Sequence, residues 1–150
     1  MQRRLLIGTY ECSLDDRFRL AVPAKLRDHF ADGATVSWWL DDCLVLAPGT
    51  EWDALIERTF GSLNVLNDKQ RFLRRYLLAG AFPTDALDKQ GRLVIPAKLR
   101  EHAGLGAKVT VIGAGEYLEV WDPARLDARF GDLEREGVSS VASRLAEGMG

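Results

Sequence analysis

The 150-residue chain lacks the features that mark secreted, membrane-spanning and metal-dependent proteins. It has only two cysteines, Cys12 and Cys43, and two histidines, His29 and His102, and none of them stands at a metal-ligand interval from another. No run approaches the roughly 18 to 20 apolar residues that a membrane span needs, and no secretory leader opens the chain. We therefore expect a cytoplasmic protein with reduced thiols and with no metal, cofactor, membrane partner or small-molecule substrate.

The chain also lacks an excess of positive charge, because its formal net charge is −2. A monomer of this charge does not bind polyanions through bulk electrostatics. Basic residues are nevertheless concentrated in two places, at Arg17, Arg19, Lys25 and Arg27, and again at Lys89, Arg92, Lys98 and Arg100. An oligomer that turns both clusters the same way would present a positive surface.

Motifs that carry catalysis are missing as well. The sequence contains no nucleophile elbow, no phosphate-cradling glycine loop and no metal cluster. Asp15 and Asp88 could be considered as an acid and a base, but each has a cation four residues away that favours the ionised carboxylate. We predict that the protein is not an enzyme.

What the chain does contain is a repeat. The segments LDDRFRLAVPAKLRDH (14–29) and LDKQGRLVIPAKLREH (87–102) are identical at ten of sixteen positions, at an offset of 73 residues. The likeness continues in DDCLVLAPGTEWDAL (41–55) and GEYLEVWDPARLDAR (115–129), with one residue inserted. An offset of half the chain indicates two copies of a small domain. Because one such copy buries little apolar surface, we predict that the two pack about a pseudo-twofold axis.

Local patterns predict an α+β fold, with strands and a following helix in each copy. Pro23 precedes a short helical segment over 24–30, and alternating apolar residues over 35–47 predict a hairpin. Asn67 is a suitable cap for a helix over 68–79, and Asp122 for a helix in the second copy.

In each copy an aspartate precedes an arginine by four residues across a turn, Asp15 with Arg19 and Asp88 with Arg92. The pair can be a surface salt bridge that shapes the turn, worth only about 0 to 1 kcal/mol. Alternatively, the aspartate holds the turn while the arginine points outward to a phosphate or a guanine edge. The spacing alone favours neither interpretation.

Four further cations accompany these turns. Arg17 and Lys89 lie within the turns, where they can also point outward. Lys25 and Lys98 each follow a proline by two residues, at the start of a short helix, where the helix dipole does not favour a cation. Contact with an external anion explains that position, and a solvated surface lysine is the alternative.

Taken together, these segments resemble the MraZ family of two-repeat bacterial transcriptional regulators. The resemblance covers roughly residues 6–130 and rests on GTYECSLDDRFRLAVPAKLRD, LDKQGRLVIPAKLREHAGL, GEYLEVWD and RRYLLAGA. It implies a swapped-hairpin, AbrB-like module in each half and a ring-shaped homo-oligomer whose turns reach DNA. It further implies regulation, usually repression, of the division and cell wall gene cluster, through direct repeats in double-stranded promoter DNA at the nucleoid.

The resemblance also predicts the site residues and the domain boundaries. The family's Asp-x-x-x-Arg signature falls on the two turns, so the DNA-binding candidates are Arg17, Arg19, Lys25, Lys89, Arg92 and Lys98, and the turn-shaping residues are Asp15, Asp88 and Gly91. The predicted divisions are a first module (5–53), linking helices (54–82), a second module (83–126) and a helical tail (127–150). An antitoxin-like or other protein-binding module is the alternative function.

One position departs from the family pattern. The family commonly has glycine just before the motif arginine, as Gly91 is here, whereas the first copy has Phe18. Glycine accepts a positive backbone φ without strain and phenylalanine does not. We expect either that the first turn has another shape or that Phe18 contacts a base, a sugar or a neighbouring subunit.

Overall fold

The computed structural model describes residues 4–149, and within them the predicted α+β class is confirmed. The first repeat forms β1 (Thr9–Ser13), β2 (Arg19–Ala21), a 3-10 helix (Ala24–Phe30), β3 (Ala34–Trp38), β4 (Leu44–Pro48), α1 (Trp52–Phe60) and α2 (Asp68–Ala79). The second forms β5 (Phe82–Thr84), β6 (Arg92–Val94), α3 (Ala97–Ala103), β7 (Lys108–Gly113), β8 (Leu118–Trp121), α4 (Pro123–Glu136) and α5 (Val138–Met149). The last residue of the predicted tail, Gly150, lies outside the described residues. None of the helices within residues 4–149 is long and apolar enough to cross a membrane.

Side-chain caps fix the start of two helices, as the sequence predicts. The Asn67 side chain accepts a hydrogen bond from the backbone N–H of Gln70 (3.1 Å) at the start of α2. The Asp122 carboxylate accepts one from the N–H of Arg125 (3.1 Å) at the start of α4. Each bond satisfies an N–H that has no partner inside its helix.

The main sheet is antiparallel and joins the two repeats. Its strand order is β1-β7-β8-β4-β3-β5, so β1 of the first repeat pairs with β7 of the second, and β5 pairs with β3. At the centre, β4 pairs with β8 with Val45 opposite Glu119. Exchanging the repeats turns this order into its own reverse, which is the pseudo-twofold relation that the duplication predicts.

A separate two-stranded ribbon, β2 with β6, lies on the same axis. Leu20 is opposite Leu93 at its centre, and both side chains are buried. Beyond the strands, the N–H of Val22 donates to the carbonyl of Gly91, and the N–H of Ile95 donates to that of Phe18, both at 2.9 Å. Each repeat is thus hydrogen-bonded to the turn of the other.

Two apolar cores cover the two faces of the sheet. The first is shared by both repeats and includes buried side chains from the ribbon and from both short helices, among them Leu20, Val22, Leu26, Phe30, Leu93, Ile95 and Leu99. The second lies under α1 and α2 and includes Trp39, Cys43, Trp52, Phe60, Leu77, Trp121 and Leu126. Because residues from both repeats fill the first core, neither repeat has a complete core of its own.

The helices that follow the two repeats are used differently. Helix α1 buries four side chains against the sheet, whereas α4 buries only Leu126. The rest of α4 and all of α5 leave large apolar side chains exposed, namely Phe130, Leu133, Val138 and Leu145. We call these four residues the tail face.

Glu119 provides a stability prediction with a defined pH dependence. Its carboxylate accepts a hydrogen bond from Trp121 Nε1 (3.0 Å), while burial and the nearby charge of Asp41 raise its pKa. A folded-state pKa above the unfolded value means that the carboxylate contributes most stability when protonated and loses it as pH rises. Glu119→Gln keeps the acceptor and removes the buried charge, so its melting temperature should exceed that of the wild type at pH 7.

Thermal melts followed by circular dichroism at pH 7 and near pH 4 test this prediction. The difference should shrink at the lower pH, because Glu119 is increasingly protonated in the wild type near the ordinary glutamate pKa of about 4.3. Exposed Glu101 is the matched control, and Glu101→Gln should not change the melting temperature at either pH. Equal melting temperatures for wild type and Glu119→Gln at pH 7 would contradict the argument.

Candidate DNA-binding site

The two Asp-x-x-x-Arg turns have the same hydrogen-bond geometry. In the first turn, Asp15 Oδ1 accepts from the backbone N–H groups of Arg17 and Arg19, both at 2.9 Å, and Oδ2 accepts from Arg19 Nε at 2.7 Å. In the second turn, Asp88 Oδ1 accepts from the N–H groups of Gln90 (2.9 Å) and Arg92 (2.8 Å), and Oδ2 accepts from Arg92 Nε at 2.8 Å. The structure therefore contains the salt bridges that the first interpretation of the spacing described.

These contacts keep both aspartates ionised. The pKa of Asp15 is lowered chiefly by the backbone hydrogen bond from Arg19, and the pKa of Asp88 chiefly by that from Arg92. A carboxylate with a lowered pKa is negatively charged near neutral pH, so it pairs with the arginine and does not act as a general acid. The two aspartates thus hold the motif arginines in place.

Each motif arginine binds the aspartate of its own turn through only one side-chain nitrogen, Nε. Arg19 binds Asp15 through Nε, and no hydrogen bond to the described part of the chain is made by its two terminal nitrogens. Arg92 NH1 also lies 3.6 Å from Asp15 Oδ2, which brings the two turns together across the ribbon. Both arginine side chains remain about a quarter exposed, at 25% and 26%. Arg19, held only through Nε, has both terminal nitrogens left as donors for a phosphate or a guanine, whereas Arg92 shares one of its terminal nitrogens with Asp15.

The other predicted cations lie around the same ribbon. Arg17 and Lys89 are exposed in the turns, and neither forms a salt bridge within residues 4–149. Lys25, on the 3-10 helix, and Lys98, on α3, are exposed as well. Each short helix follows a strand of the ribbon, so each begins beside the turn of the other repeat. The structure places these side chains, and their contact with DNA stays a prediction.

The two turns share one backbone shape despite Phe18. Gly91 has φ 73° and Phe18 has φ 60°, and among the described residues Phe18 is the non-glycine residue with positive φ. The expectation that the first turn has another shape is therefore wrong. The same hydrogen bonds close both turns, and they hold Phe18 in a left-handed conformation that costs roughly 1–3 kcal/mol.

Arg27 and Arg100 are not among the site residues predicted from the sequence, yet both contact the turns. Arg27 Nε donates to the carbonyl of Val22 (2.8 Å), and its side chain lies so close to Gly91 that a Cβ there would be 2.4 Å from Nε. Arg100 Nε donates to the carbonyl of Ile95 (3.1 Å). The sequence offered one signal, because both arginines occur at the same position of the repeat. It did not show that each side chain reaches the turn of the other repeat.

The Arg100 side chain lies over the Phe18 ring, and the Arg27 side chain lies beside Gly91 at the equivalent position of the other repeat. The Arg100 guanidinium carbon is 3.5 Å from the centre of the Phe18 ring. A cation–π contact at an exposed site stabilises by only about 0.5–1 kcal/mol. This contact offsets part of the backbone strain at Phe18.

No part of residues 4–149 offers a metal site, since no group of three or more His, Cys, Asp or Glu side chains could hold an ion there. Both cysteines are free thiols: Cys43 is buried and Cys12 half-buried. Burial raises the pKa of both thiols.

Comparison with known proteins identifies similar sequences. A family model described as "MraZ protein, putative antitoxin-like" matches residues 5–75 and again residues 77–147. The chain is 36% identical over 143 residues to the "Transcriptional regulator MraZ" of Roseiflexus castenholzii, covering 95% of this chain and 98% of that protein. It is 35% identical to the protein of the same name from Thermomicrobium roseum, with the same coverage. It is 39% identical to that of Oenococcus oeni, over 78% of this chain and 80% of the relative.

Proposed function

The chain belongs to the MraZ family, and from that membership we propose that it is a sequence-specific DNA-binding transcriptional regulator. In this proposal it acts at the nucleoid as a repressor of the division and cell wall gene cluster, through direct repeats in its own promoter. The relatives named above are transcriptional regulators, which is the role proposed here.

The observation that carries the proposal is the pair of turns beside a twofold ribbon. Each turn holds an arginine through Nε against an ionised aspartate. Both terminal nitrogens of Arg19 are without a hydrogen bond within residues 4–149, whereas one terminal nitrogen of Arg92 lies 3.6 Å from Asp15 Oδ2. A two-stranded ribbon fits the major groove of B-DNA, where arginine binds guanine O6 and N7. We assign Arg19 and Arg92 to this contact, and Arg17, Lys25, Lys89 and Lys98 to backbone phosphates.

We further propose that the modules are of the swapped-hairpin type. The pairing of β1 with β7 and of β5 with β3 supports this, because the first strand of each repeat joins the third strand of the other. In this division, residues 5–53 and 83–126 are the DNA-binding modules, and residues 54–82 and 127–150 are helical segments outside them.

We propose that the tail face joins neighbouring copies in a ring. Four large apolar side chains on α4 and α5 are between 38% and 62% exposed in the single chain, and a neighbouring copy would cover them. A contact between two different surfaces of the same chain closes into a ring when the rotation allows it. Several weak modules held in one ring then bind at high effective concentration, which is how a chain of net charge −2 can bind DNA tightly.

Fluorescence anisotropy tests the function directly. The purified chain is titrated into its own upstream promoter fragment and into a scrambled fragment of equal length, each at two salt concentrations. We expect at least about a thousandfold preference for the promoter fragment. We also expect affinity to fall steeply with salt, because phosphate contacts release counterions. Equal weak binding to both fragments would exclude the proposed function.

An antitoxin-like module remains the second candidate, and the tail face is the observation that favours it. Exposed apolar helices also suit a partner protein. We prefer self-assembly because the proposed DNA-binding module is duplicated within the chain. Stable co-purification of another protein, together with no promoter selectivity, would reverse this preference.

A further inference from the structure

The first turn carries an aromatic ring that the second turn lacks. Phe18 and Gly91 occupy equivalent positions with the same left-handed backbone. Glycine adopts that backbone without strain, as Gly91 does, so phenylalanine is not required by the turn. A strained side chain at a candidate binding site points to a use for that side chain.

The ring has a defined setting. Arg100 lies over one face, with its guanidinium carbon 3.5 Å from the ring centre, and is itself anchored by Nε to the carbonyl of Ile95. A shallow recess beside the ring is lined by Leu14, Leu105 and the Arg100 side chain. Phe18 nevertheless stays 46% exposed, so the ring surface that Arg100 does not cover is accessible.

This setting restricts what the ring can bind. A ring that carries a guanidinium on one face presents only its other face and its edge to DNA. Its accessible surface is apolar. The apolar group that DNA presents in the major groove, where the ribbon would lie, is the 5-methyl group of thymine.

We propose that Phe18 contacts a thymine methyl group in the DNA segment bound by the first repeat, with Arg100 as the residue that positions the ring. This inference rests on the proposed function and adds a specificity determinant to it. The two repeats of one chain then read different sequences, although their turns have the same backbone.

The second turn carries no side chain for the same contact, because Gly91 stands at the position of Phe18. The Arg27 side chain lies in the space beside Gly91, where a Cβ would be 2.4 Å from its Nε. A ring there would require Arg27 to shift to a position like that of Arg100 beside Phe18.

Deoxyuridine substitution tests the inference, because it removes only the methyl group. Thymines in the promoter fragment are replaced one at a time, and affinity is measured by anisotropy for wild type and Phe18→Gly. We expect replacement of the contacted thymine to weaken wild-type binding by about threefold to tenfold, the effect of leaving one methyl-sized apolar group unburied. For Phe18→Gly, which copies the second turn and relieves the strain, the affinity ratio at that thymine should fall to about one.

Two further variants separate the roles. Arg100→Gln should reduce the thymine-to-deoxyuridine ratio while leaving Phe18 in place, because the ring loses its support. Phe72 is the matched control, since it is also exposed and lies under an arginine, Arg75, but belongs to α2. Phe72→Ala should leave the ratio unchanged.

The outcomes distinguish this inference from the proposed function. Selective wild-type binding to the unmodified promoter, with the same deoxyuridine ratios in wild type and Phe18→Gly, would overturn the thymine contact alone. Wild-type binding that no single deoxyuridine weakens would overturn it as well. Equal binding of promoter and scrambled DNA would reject the proposed function itself, and the inference with it.

Discussion

Combining Arg19→Ala with Arg92→Ala is expected to lower affinity for the promoter fragment by about a hundredfold or more. A bidentate contact between arginine and guanine contributes roughly 1–3 kcal/mol of discrimination, and the chain carries two such arginines. Each factor of ten corresponds to about 1.4 kcal/mol, so two contacts of about 1.4 kcal/mol each, a value within that range, reach a hundredfold. Anisotropy titrations against promoter and scrambled DNA measure the loss, which should be greater for the promoter.

The double variant should still fold and assemble. Each arginine contributes a partly exposed ion pair, and such pairs stabilise by only about 0 to 1 kcal/mol. The backbone N–H groups that Asp15 and Asp88 accept remain in place. Circular dichroism melts and light scattering should therefore differ little from the wild type.

Arg58 is the matched control for the arginine variants. It lies on α1, on the opposite face of the sheet from the ribbon, and pairs with Glu116. Arg58→Ala removes the same charge and should leave promoter selectivity unchanged. Unchanged affinity in the double variant Arg19→Ala, Arg92→Ala would show that the turns do not bind DNA.

Removing residues 138–150 should dissociate the proposed ring and reduce promoter affinity by about a hundredfold or more. Helix α5 carries Val138 and Leu145 of the tail face and has no fully buried side chain among those described. Its loss therefore removes a contact surface without opening either core. Avidity exceeds the affinity of a single module by about 10² to 10⁴, and this factor disappears when the copies separate.

Multi-angle light scattering and anisotropy on the same samples test the truncation. Leu145→Glu should reproduce much of its effect, because a buried unpaired charge opposes an apolar contact. Ser143→Glu, which places the same charge at an exposed polar position on α5, is the control. If the truncated chain assembles into the same number of copies as the wild type, the assignment of α5 to the subunit contact is wrong.

The sequence predicted those parts of the fold that local chemistry determines. The helix from Asp68 to Ala79 has the predicted bounds because Asn67 supplies the cap and Gly80 follows its end. The motif turns were predictable because an aspartate side chain four residues before an arginine reaches both its N–H and its Nε. Phe18 was identified as a departure, but only the structure showed that the shared hydrogen bonds impose the glycine-like backbone on it.

Contacts between residues far apart in the chain were not predictable. Arg27 and Arg100 each look like a surface arginine next to an acidic residue, Asp28 or Glu101, in the sequence. Their places over Gly91 and Phe18 depend on how β2 pairs with β6. Likewise, α4 has apolar residues at helical spacing, and only the arrangement of both repeats shows that most of them remain uncovered.

By itself, the sequence determined that the chain is a duplication, that each copy carries an Asp-x-x-x-Arg turn, and where the capped helices begin. These features depend on residues within a few positions of one another, and short-range hydrogen bonds and identity at a fixed offset reveal them. Only the tertiary structure decided that the repeats exchange strands, that each arginine of a short helix crosses to the other repeat's turn, and that the tail face is exposed. Those outcomes depend on strand pairing between residues up to about a hundred positions apart, as between β1 and β7, where burial of a shared core selects the partner.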